Sequence, residues 1–132
     1  MMKQVMPYLM FSGTCHEALH FYKDALDGEI VSMQQIKDSP LSAHASEEDA
    51  DRIFDSEFVA ENVRFKASDD MPGSEVNVGS NFAMFVHFTD AAEQEKVFER
   101  LSDGGHVQFP LNDGFGLVVD RFRVQWMLAK EN

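Results

Sequence analysis

The spacing of apolar and polar residues predicts two amphipathic helices, over residues 14–28 and 90–104. In the first helix the apolar side chains recur at helical intervals, at Ala18, Phe21, Tyr22 and Ala25. Thr14, followed three residues later by Glu17, has the spacing of a capping box, in which each side chain accepts a backbone N–H of the other residue. At the other end, Gly28 is expected to take the left-handed conformation that terminates a helix.

The two helical segments are related by a constant shift of 76 residues. Under this shift Thr14 falls on Asp90, and the apolar segment 6–11 before the first helix falls on 82–87. Each helix is followed by three short segments rich in Val, Ile and Phe, which predict strands at 29–36, 53–59, 63–67, 106–109, 117–119 and 124–128. Self-similarity at a fixed offset indicates a duplicated unit.

This pattern predicts an α+β fold built from two βαβββ modules, at about 1–75 and 76–132, within a single domain 1–132. One sheet with one helix leaves an apolar face uncovered, so we expect the modules to form a cupped mixed sheet with the helices outside. The concavity is the expected ligand site. The turn-rich segment 69–74 leads into the connection, and the polar segment 38–51 is the best candidate for a mobile excursion.

Composition narrows the range of functions. The chain has 23 acidic and 11 basic residues and a net charge of −12, which argues against nucleic-acid and anionic-membrane partners. No apolar run approaches the roughly 18–20 residues of a membrane-spanning helix. The single Cys15 excludes a disulfide framework within one chain. The amino-terminal residues lack the apolar stretch of a signal peptide, so we expect a cytoplasmic protein.

Several short motifs follow one another along the chain: Pro7-Tyr8-Leu9-Met10-Phe11-Ser12-Gly13, Glu17-Ala18, Phe21-Tyr22, Gly28, Ser68-Asp69, Met71-Pro72-Gly73, Gly104-Gly105, Asp120-Arg121-Phe122 and Val124-Gln125-Trp126-Met127-Leu128. Their order and spacing resemble the PhnB-like branch of the vicinal oxygen chelate superfamily, which includes glyoxalase I, bleomycin-resistance proteins and extradiol dioxygenases. The resemblance covers almost the whole chain. It implies the glyoxalase/bleomycin-resistance fold and a homodimer.

Metal enzymes of that superfamily hold a divalent ion through His, Gln or Glu on four strands. The resemblance maps those positions onto Met6, onto Asn81 or Ala83, onto Met127, and onto Ala67, Ser68 or Asp69. A thioether is a poor ligand for a hard divalent ion, and alanine offers no ligand. We therefore expect neither a metal nor another cofactor.

Other side chains are better candidates for contacting a ligand. Tyr8 and Met10 share a strand face with Met6 and are expected to give apolar contacts in the concavity. His87 alternates with Phe85 on a face opposite Phe88, and is expected to face the ligand as a general base or hydrogen-bond donor, with Phe85 on the pocket wall. Phe65 and Trp126 are expected to belong to the core instead.

Two carboxylates complete the candidate site. Asp55 stands where relatives commonly carry a histidine, and Asp69 lies at the end of the fourth predicted strand; both are expected to contact polar or cationic groups. Elsewhere, His16, His20 and Asp24 could bind a metal on one helix face. A solvated face is preferred there because no partner from another element is evident. Cys15, in the first turn of the same helix, is expected to be structural.

These observations predict a protein that binds a small organic molecule in the concavity without a metal, with no nucleic-acid or membrane partner. Whether it is an enzyme stays open. One alternative is a metal-dependent lyase or dioxygenase of the glyoxalase type. The other is sequestration of a cationic drug, as in bleomycin-resistance proteins, which the net charge of −12 favours weakly. The chain shows no glycine-rich nucleotide loop for a methyl donor, so a demethylubiquinone methyltransferase activity is not predicted.

Overall fold

The computed structural model describes residues 4–71 and 74–131. The chain divides into two compact units, Met1–Asn77 and Val78–Asn132. No helix within the described residues is long and apolar enough to cross a lipid bilayer. That the two units make up a single domain stays a prediction.

The first unit is one four-stranded sheet with one α-helix. Its elements in chain order are β1 (Tyr8–Phe11), α1 (Cys15–Leu26), β2 (Glu29–Gln35), two short 3₁₀ helices (Ile36–Asp38 and Ser42–His44), β3 (Ile53–Ala60) and β4 (Val63–Asp69). The strands are ordered β1-β4-β3-β2, with β1 parallel to β4 and the other pairs antiparallel. The backbone N–H of Lys37 donates to the carbonyl of Ala50, so the excursion 38–51 leaves and rejoins the unit at one place. Its mobility stays a prediction.

The second unit repeats this arrangement. Its elements are β5 (Met84–Phe88), α2 (Ala91–Ser102), β6 (His106–Asn112), β7 (Phe115–Val119) and β8 (Gln125–Lys130). The strand order is β5-β8-β7-β6, again with the first and last strands of the unit parallel. Helices α1 and α2 begin and end at positions 76 residues apart, as the internal repeat predicts. The duplicated βαβββ architecture and the α+β fold class are therefore confirmed.

Each sheet buries one face among large apolar side chains. In the first unit Phe65 stacks on Phe58, with ring centroids 4.9 Å apart, and meets the edge of Tyr22 at 5.8 Å. In the second unit Trp126 and Leu128 of β8 are fully buried. The predicted core positions of Phe65 and Trp126 are therefore confirmed. The opposite face of each sheet is not part of this core.

The predicted ends of the first helix are wrong in two respects. The Thr14 side chain makes no capping hydrogen bond; the first N–H of α1, from Cys15, instead donates to Oδ1 of Asp69 at 2.9 Å. The left-handed residue at the other end is Asp27, with φ of 54°, and not Gly28. Gly28 is needed for close packing, since a Cβ there would lie 2.6 Å from Cζ of Phe58.

The second helix begins and ends where the shift of 76 residues places it. Oδ2 of Asp90 accepts the N–H of Glu93 at 3.3 Å, and Gly104 has a positive φ of 78°. The repeat therefore preserves where the helices lie, although the two units cap them differently.

Candidate functional site

The sheet face opposite the core in the first unit carries the predicted ligand contacts of β1. Along this strand Leu9 and Phe11 are buried, whereas Tyr8 is 41% and Met10 is 60% exposed. This is the alternation of a strand with one face on the core. Tyr8 and Met10 thus lie on the face away from the core, as predicted.

Three polar side chains meet on this face, and we call them the Tyr8–Asp55–Lys66 cluster. The Tyr8 hydroxyl donates to Oδ1 of Asp55 at 2.9 Å, and Nζ of Lys66 donates to Oδ2 of the same carboxylate at 2.8 Å. The Lys66 ammonium also lies 5.9 Å from the Tyr8 ring centroid, within the range of a cation–π contact. The cluster is therefore held together by three mutual interactions.

The cluster follows from the strand register. Tyr8 of β1 lies beside Lys66 of parallel β4, and Lys66 lies across from Glu57 of β3. Asp55 is two residues before Glu57, so its side chain emerges on the same face and within diagonal reach. Both Asp55 and Lys66 are about one-third exposed, which leaves polar atoms accessible beside the thioether of Met10.

The environment of Tyr8 keeps its hydroxyl protonated. Partial burial raises the pKa of Tyr8 above its usual value of 10.0, a hydrogen bond from Ser68 opposes this, and the Asp55 carboxylate raises it further. At neutral pH the phenol is consequently a hydrogen-bond donor, and Asp55 is its acceptor. The negative charge of Asp55 is already neutralised by Lys66, so a cationic ligand at this carboxylate would compete with the ammonium.

Lys66 was not among the residues predicted from the sequence. The signal was available, because a strand with Phe65 and Ala67 in the core must direct Lys66 to the face that carries Tyr8. The same alternation places Arg64 there, where its guanidinium pairs with Glu57. The face therefore combines balanced charges with exposed apolar groups.

Asp69 has a different environment from Asp55. It is only 2% exposed, and its two carboxylate oxygens accept backbone N–H groups of Cys15 (2.9 Å) and Ile53 (2.8 Å). These bonds join the end of β4 to the start of α1 and the start of β3. This carboxylate therefore stabilises the fold, and we do not propose it as the ligand contact that the sequence predicts.

The second unit presents a more apolar face. Phe85 is 62% exposed on β5, between the buried Met84 and the partly buried Val86, and lies beside Met127 of β8. His87, on the same face, is partly exposed, with Nε2 3.8 Å from a carboxylate oxygen of Glu131. The predicted faces of Phe85 and His87 are thus those observed, and the role of His87 as a general base stays a prediction.

A depression lies at the turn between β6 and β7. It has a volume of about 530 Å³ and is lined by Phe109, Pro110, Asn112 and Phe115. Pro110 is tolerated within β6 because this strand lies at the sheet edge, where a proline needs no partner for its missing N–H. The second unit therefore offers an aromatic surface beside its exposed sheet face.

Cys15 is unsuited to nucleophilic chemistry. The side chain is fully buried, and burial, followed by the nearby Asp69 carboxylate, raises the pKa of the Cys15 thiol to about 12, with a hydrogen bond from Ser56 opposing the shift. Because the folded state holds this proton more tightly than the unfolded chain, the associated stability is present below about pH 9 and is lost as pH rises towards 12.

We expect the folded protein to resist thiol reagents. At pH 8 an aromatic disulfide reagent should label the native protein far more slowly than the protein in guanidinium chloride, because the native thiol is neither exposed nor ionised. The absorbance of the released thiolate measures both rates on the same sample. Labelling of native protein within seconds, at the rate of the unfolded chain, would contradict the burial of Cys15.

Three of the four positions that the resemblance assigns to a metal do not fit one in this chain. Met6 and Met127 offer thioethers, and both oxygens of Asp69 accept backbone N–H groups. Among residues 4–71 and 74–131, no group of three His, Cys, Asp or Glu side chains is placed to hold an ion. No step of the function proposed below runs through a metal.

Comparison with known proteins agrees with this architecture. Residues 3–129 match the family model described as 3-demethylubiquinone-9 3-methyltransferase. The curated protein YjdN of Escherichia coli is 28% identical over 134 residues, covering 92% of this chain and 91% of YjdN.

Solved structures extend the comparison. Protein PA1353 of Pseudomonas aeruginosa is 32% identical, with a TM-score of 0.88 and 98% of each chain covered. A PhnB protein of Bacillus cereus, described as a putative 3-demethylubiquinone-9 3-methyltransferase, is 22% identical with a TM-score of 0.80, covering 98% of this chain and 100% of that one. The fosfomycin resistance protein FosX of Listeria monocytogenes shares the fold, with 8% identity, a TM-score of 0.67 and coverage of 98% and 92%.

The family model spans nearly the whole chain, and the solved structures share the fold that the sequence predicts. This chain belongs to the family described as 3-demethylubiquinone-9 3-methyltransferase.

Proposed function

We propose that the protein binds a small organic molecule on the exposed sheet face of its first unit, without a metal. The observation that carries this proposal is the Tyr8–Asp55–Lys66 cluster beside the exposed thioether of Met10. Apolar side chains next to a few fixed polar groups are the usual composition of a small-molecule site. The ligand would place an apolar part against Met10 and the Tyr8 ring.

The cluster also suggests the polar half of the ligand. The Lys66 ammonium has three N–H donors and uses one of them on Asp55, so a carbonyl, hydroxyl or carboxylate oxygen could take another. The Tyr8 hydroxyl donates to Asp55, and its oxygen can still accept a hydrogen bond. A molecule with a hydroxyl group beside an aromatic or aliphatic body meets both requirements, because its oxygen can accept from Lys66 and its proton can be donated to Tyr8.

The second unit would contribute separately. Phe85 offers an exposed aromatic face, and His87 offers a ring nitrogen that can donate or accept a proton. We propose that these two side chains contact a ligand through stacking and hydrogen bonding. The homodimer and the cytoplasmic location stay expectations of the same proposal.

The descriptive name of the family would imply methyl transfer to a demethylubiquinone. The residues that join β1 to α1 are Ser12, Gly13 and Thr14, and this short turn lacks the repeated glycines that bring a backbone close to a nucleotide. Methyl transfer is therefore not part of the proposal. S-adenosylmethionine is included below as a probe for it.

A panel of compounds with variants of the cluster tests the proposal. We screen phenols, aromatic carboxylates, aromatic ammonium compounds and S-adenosylmethionine by thermal shift, and titrate the compounds that raise the melting temperature by calorimetry. For a compound bound at the cluster, Lys66→Met and Tyr8→Phe would each remove one hydrogen bond, made either to the ligand or to the Asp55 carboxylate. Each is expected to weaken binding about tenfold, which corresponds to about 1.4 kcal/mol.

Two exposed positions of α2 supply matched controls. Lys96→Met removes an exposed ammonium and Glu95→Gln an exposed carboxylate from the helix of the second unit, and both variants are expected to bind as the original protein does. Equal affinity of the original chain, Lys66→Met and Tyr8→Phe for every compound bound would overturn the proposal. Binding of S-adenosylmethionine that is insensitive to these variants would favour the methyltransferase instead.

A further inference from the structure

Helix α1 carries a histidine pair that the function above does not use. His16 and His20 are one turn apart, both are exposed, and their ring centroids are 4.5 Å apart with planes inclined by 48°. The segment His16-Glu17-Ala18-Leu19-His20 has the H-E-x-x-H spacing, which places two imidazoles on one side of a helix. Sequence spacing alone could not tell whether the two rings turn towards each other.

The ring separation matches that of two imidazoles sharing one ion. Metal–nitrogen distances of about 2.0–2.1 Å put two imidazole centroids about 4.5 Å apart when the rings bind at a right angle. The inclination of 48° also differs from the parallel planes of a stacked pair. The two rings are therefore close enough for both imidazoles to bind the same ion.

We propose that His16 and His20 form a surface site for one late first-row divalent ion, of the class of Ni²⁺ or Cu²⁺. These ions favour imidazole nitrogen, whereas Mg²⁺ and Ca²⁺ favour oxygen. The site is independent of the exposed sheet face and of the four superfamily metal positions. Asp24 is not a third ligand, because eight residues of helix separate it from His16 by about 12 Å.

Water completes the coordination in this proposal. In residues 4–71 and 74–131 no third His, Cys, Asp or Glu joins a group able to hold an ion, so the pair supplies two ligands and solvent the others. Glu17 lies on α1 between the two histidines in sequence and is exposed, so its carboxylate can accept a hydrogen bond from a metal-bound water. The role of Glu17 is support and not ligation.

Calorimetric titration of the untagged protein with Ni²⁺ tests the site. We expect one ion per chain, accompanied by a rise in melting temperature because the ion binds the formed helix and not the unfolded chain. His16→Ala and His20→Ala are each expected to lose saturable binding. Both positions are exposed and alanine favours helix, so the far-ultraviolet circular dichroism of α1 should persist.

His44→Ala and His106→Ala are the matched controls, since each removes an exposed histidine elsewhere. Glu17→Gln tests whether the Glu17 carboxylate is itself a metal ligand or only a hydrogen-bond acceptor for bound water. All three are expected to keep one bound ion per chain. In Cu²⁺-loaded protein, electron paramagnetic resonance should show two nitrogen ligands in the original chain, and His20→Ala should lose this signal. Absence of saturable binding by the original protein, or binding that His44→Ala or His106→Ala removes while His16→Ala and His20→Ala keep it, would overturn the proposal.

Discussion

Replacing Asp120 with alanine is expected to destabilise the protein by about 4 kcal/mol, because it removes the acceptor of three donors, one of them the indole N–H of a fully buried tryptophan. Oδ1 of Asp120 accepts the backbone N–H groups of Phe122 (2.8 Å) and Val124 (3.1 Å), and Oδ2 accepts the indole N–H of Trp126 at 2.9 Å. Asp120 is 2% exposed and Trp126 is fully buried, so water cannot replace the lost acceptor. The carboxylate thus fixes the turn between β7 and β8 and orients the core tryptophan.

Guanidinium unfolding followed by the fluorescence of Trp126, the one tryptophan of the chain, measures this loss. Asp120→Asn keeps one oxygen acceptor and is expected to be intermediate. Asp103→Ala is the control: its carboxylate pairs with Arg121 but is largely exposed, so its loss should cost less than about 1 kcal/mol. A free energy of unfolding for Asp120→Ala equal to that of Asp103→Ala would show that Asp120 has no structural role.

Asp69→Ala is expected to lower the free energy of unfolding by about 3 kcal/mol. The lost carboxylate would leave the N–H groups of Cys15 and Ile53 without their acceptors in a buried setting. Because the Cys15 N–H is the first of α1, the amino-terminal turn of this helix should fray. Hydrogen exchange of the amides at the start of α1 should therefore accelerate more than that of α2.

Urea unfolding and hydrogen exchange of the same variant measure both effects. Asp38→Ala removes an exposed carboxylate from the same unit and should stay within about 0.5 kcal/mol of the original protein. If Asp69→Ala were as stable as Asp38→Ala but lost ligand affinity, the sequence-based expectation of a ligand contact at Asp69 would be favoured over the structural role.

Local patterns were enough to predict the architecture. Helical spacing and the shift of 76 residues place both helices, and strand-like composition places all eight strands. The prediction succeeds because amphipathic period and repeat are properties of neighbouring residues. The prediction is less accurate at strand ends. The predicted strand 106–109 extends in the structure through Pro110 to Asn112, because an edge strand accommodates proline.

Long-range partners could not be predicted in the same way. The capping of α1 depends on Asp69, which is 54 residues from Cys15, and a local capping box at Thr14 was the reasonable but wrong expectation. The site shows the same limit. Alternation placed Tyr8 on the exposed face, yet its contacts with Asp55 and Lys66 depend on the register of three strands.

The Asp120-Arg121-Phe122 motif illustrates how resemblance and physics complement each other. Its order along the chain supports family membership, and the structure supplies its reason: the Asp120 carboxylate binds two backbone N–H groups of the turn and the Trp126 indole. The motif thus stabilises the fold, whereas the side chains of the Tyr8–Asp55–Lys66 cluster lie outside the core. Exposed polar groups held in fixed geometry are where binding is most reasonably sought.

The most direct test of the central claim is a methyl nuclear magnetic resonance titration of methionine-labelled protein with the tightest compound from the panel. Met10 is 60% exposed beside the Tyr8–Asp55–Lys66 cluster, whereas Met84 is 7% exposed on the core face of the second sheet. Binding at the cluster predicts that the Met10 methyl resonance shifts saturably, with the calorimetric affinity, while that of Met84 stays in place. A Met10 resonance that does not move at ligand saturation would contradict the proposed site.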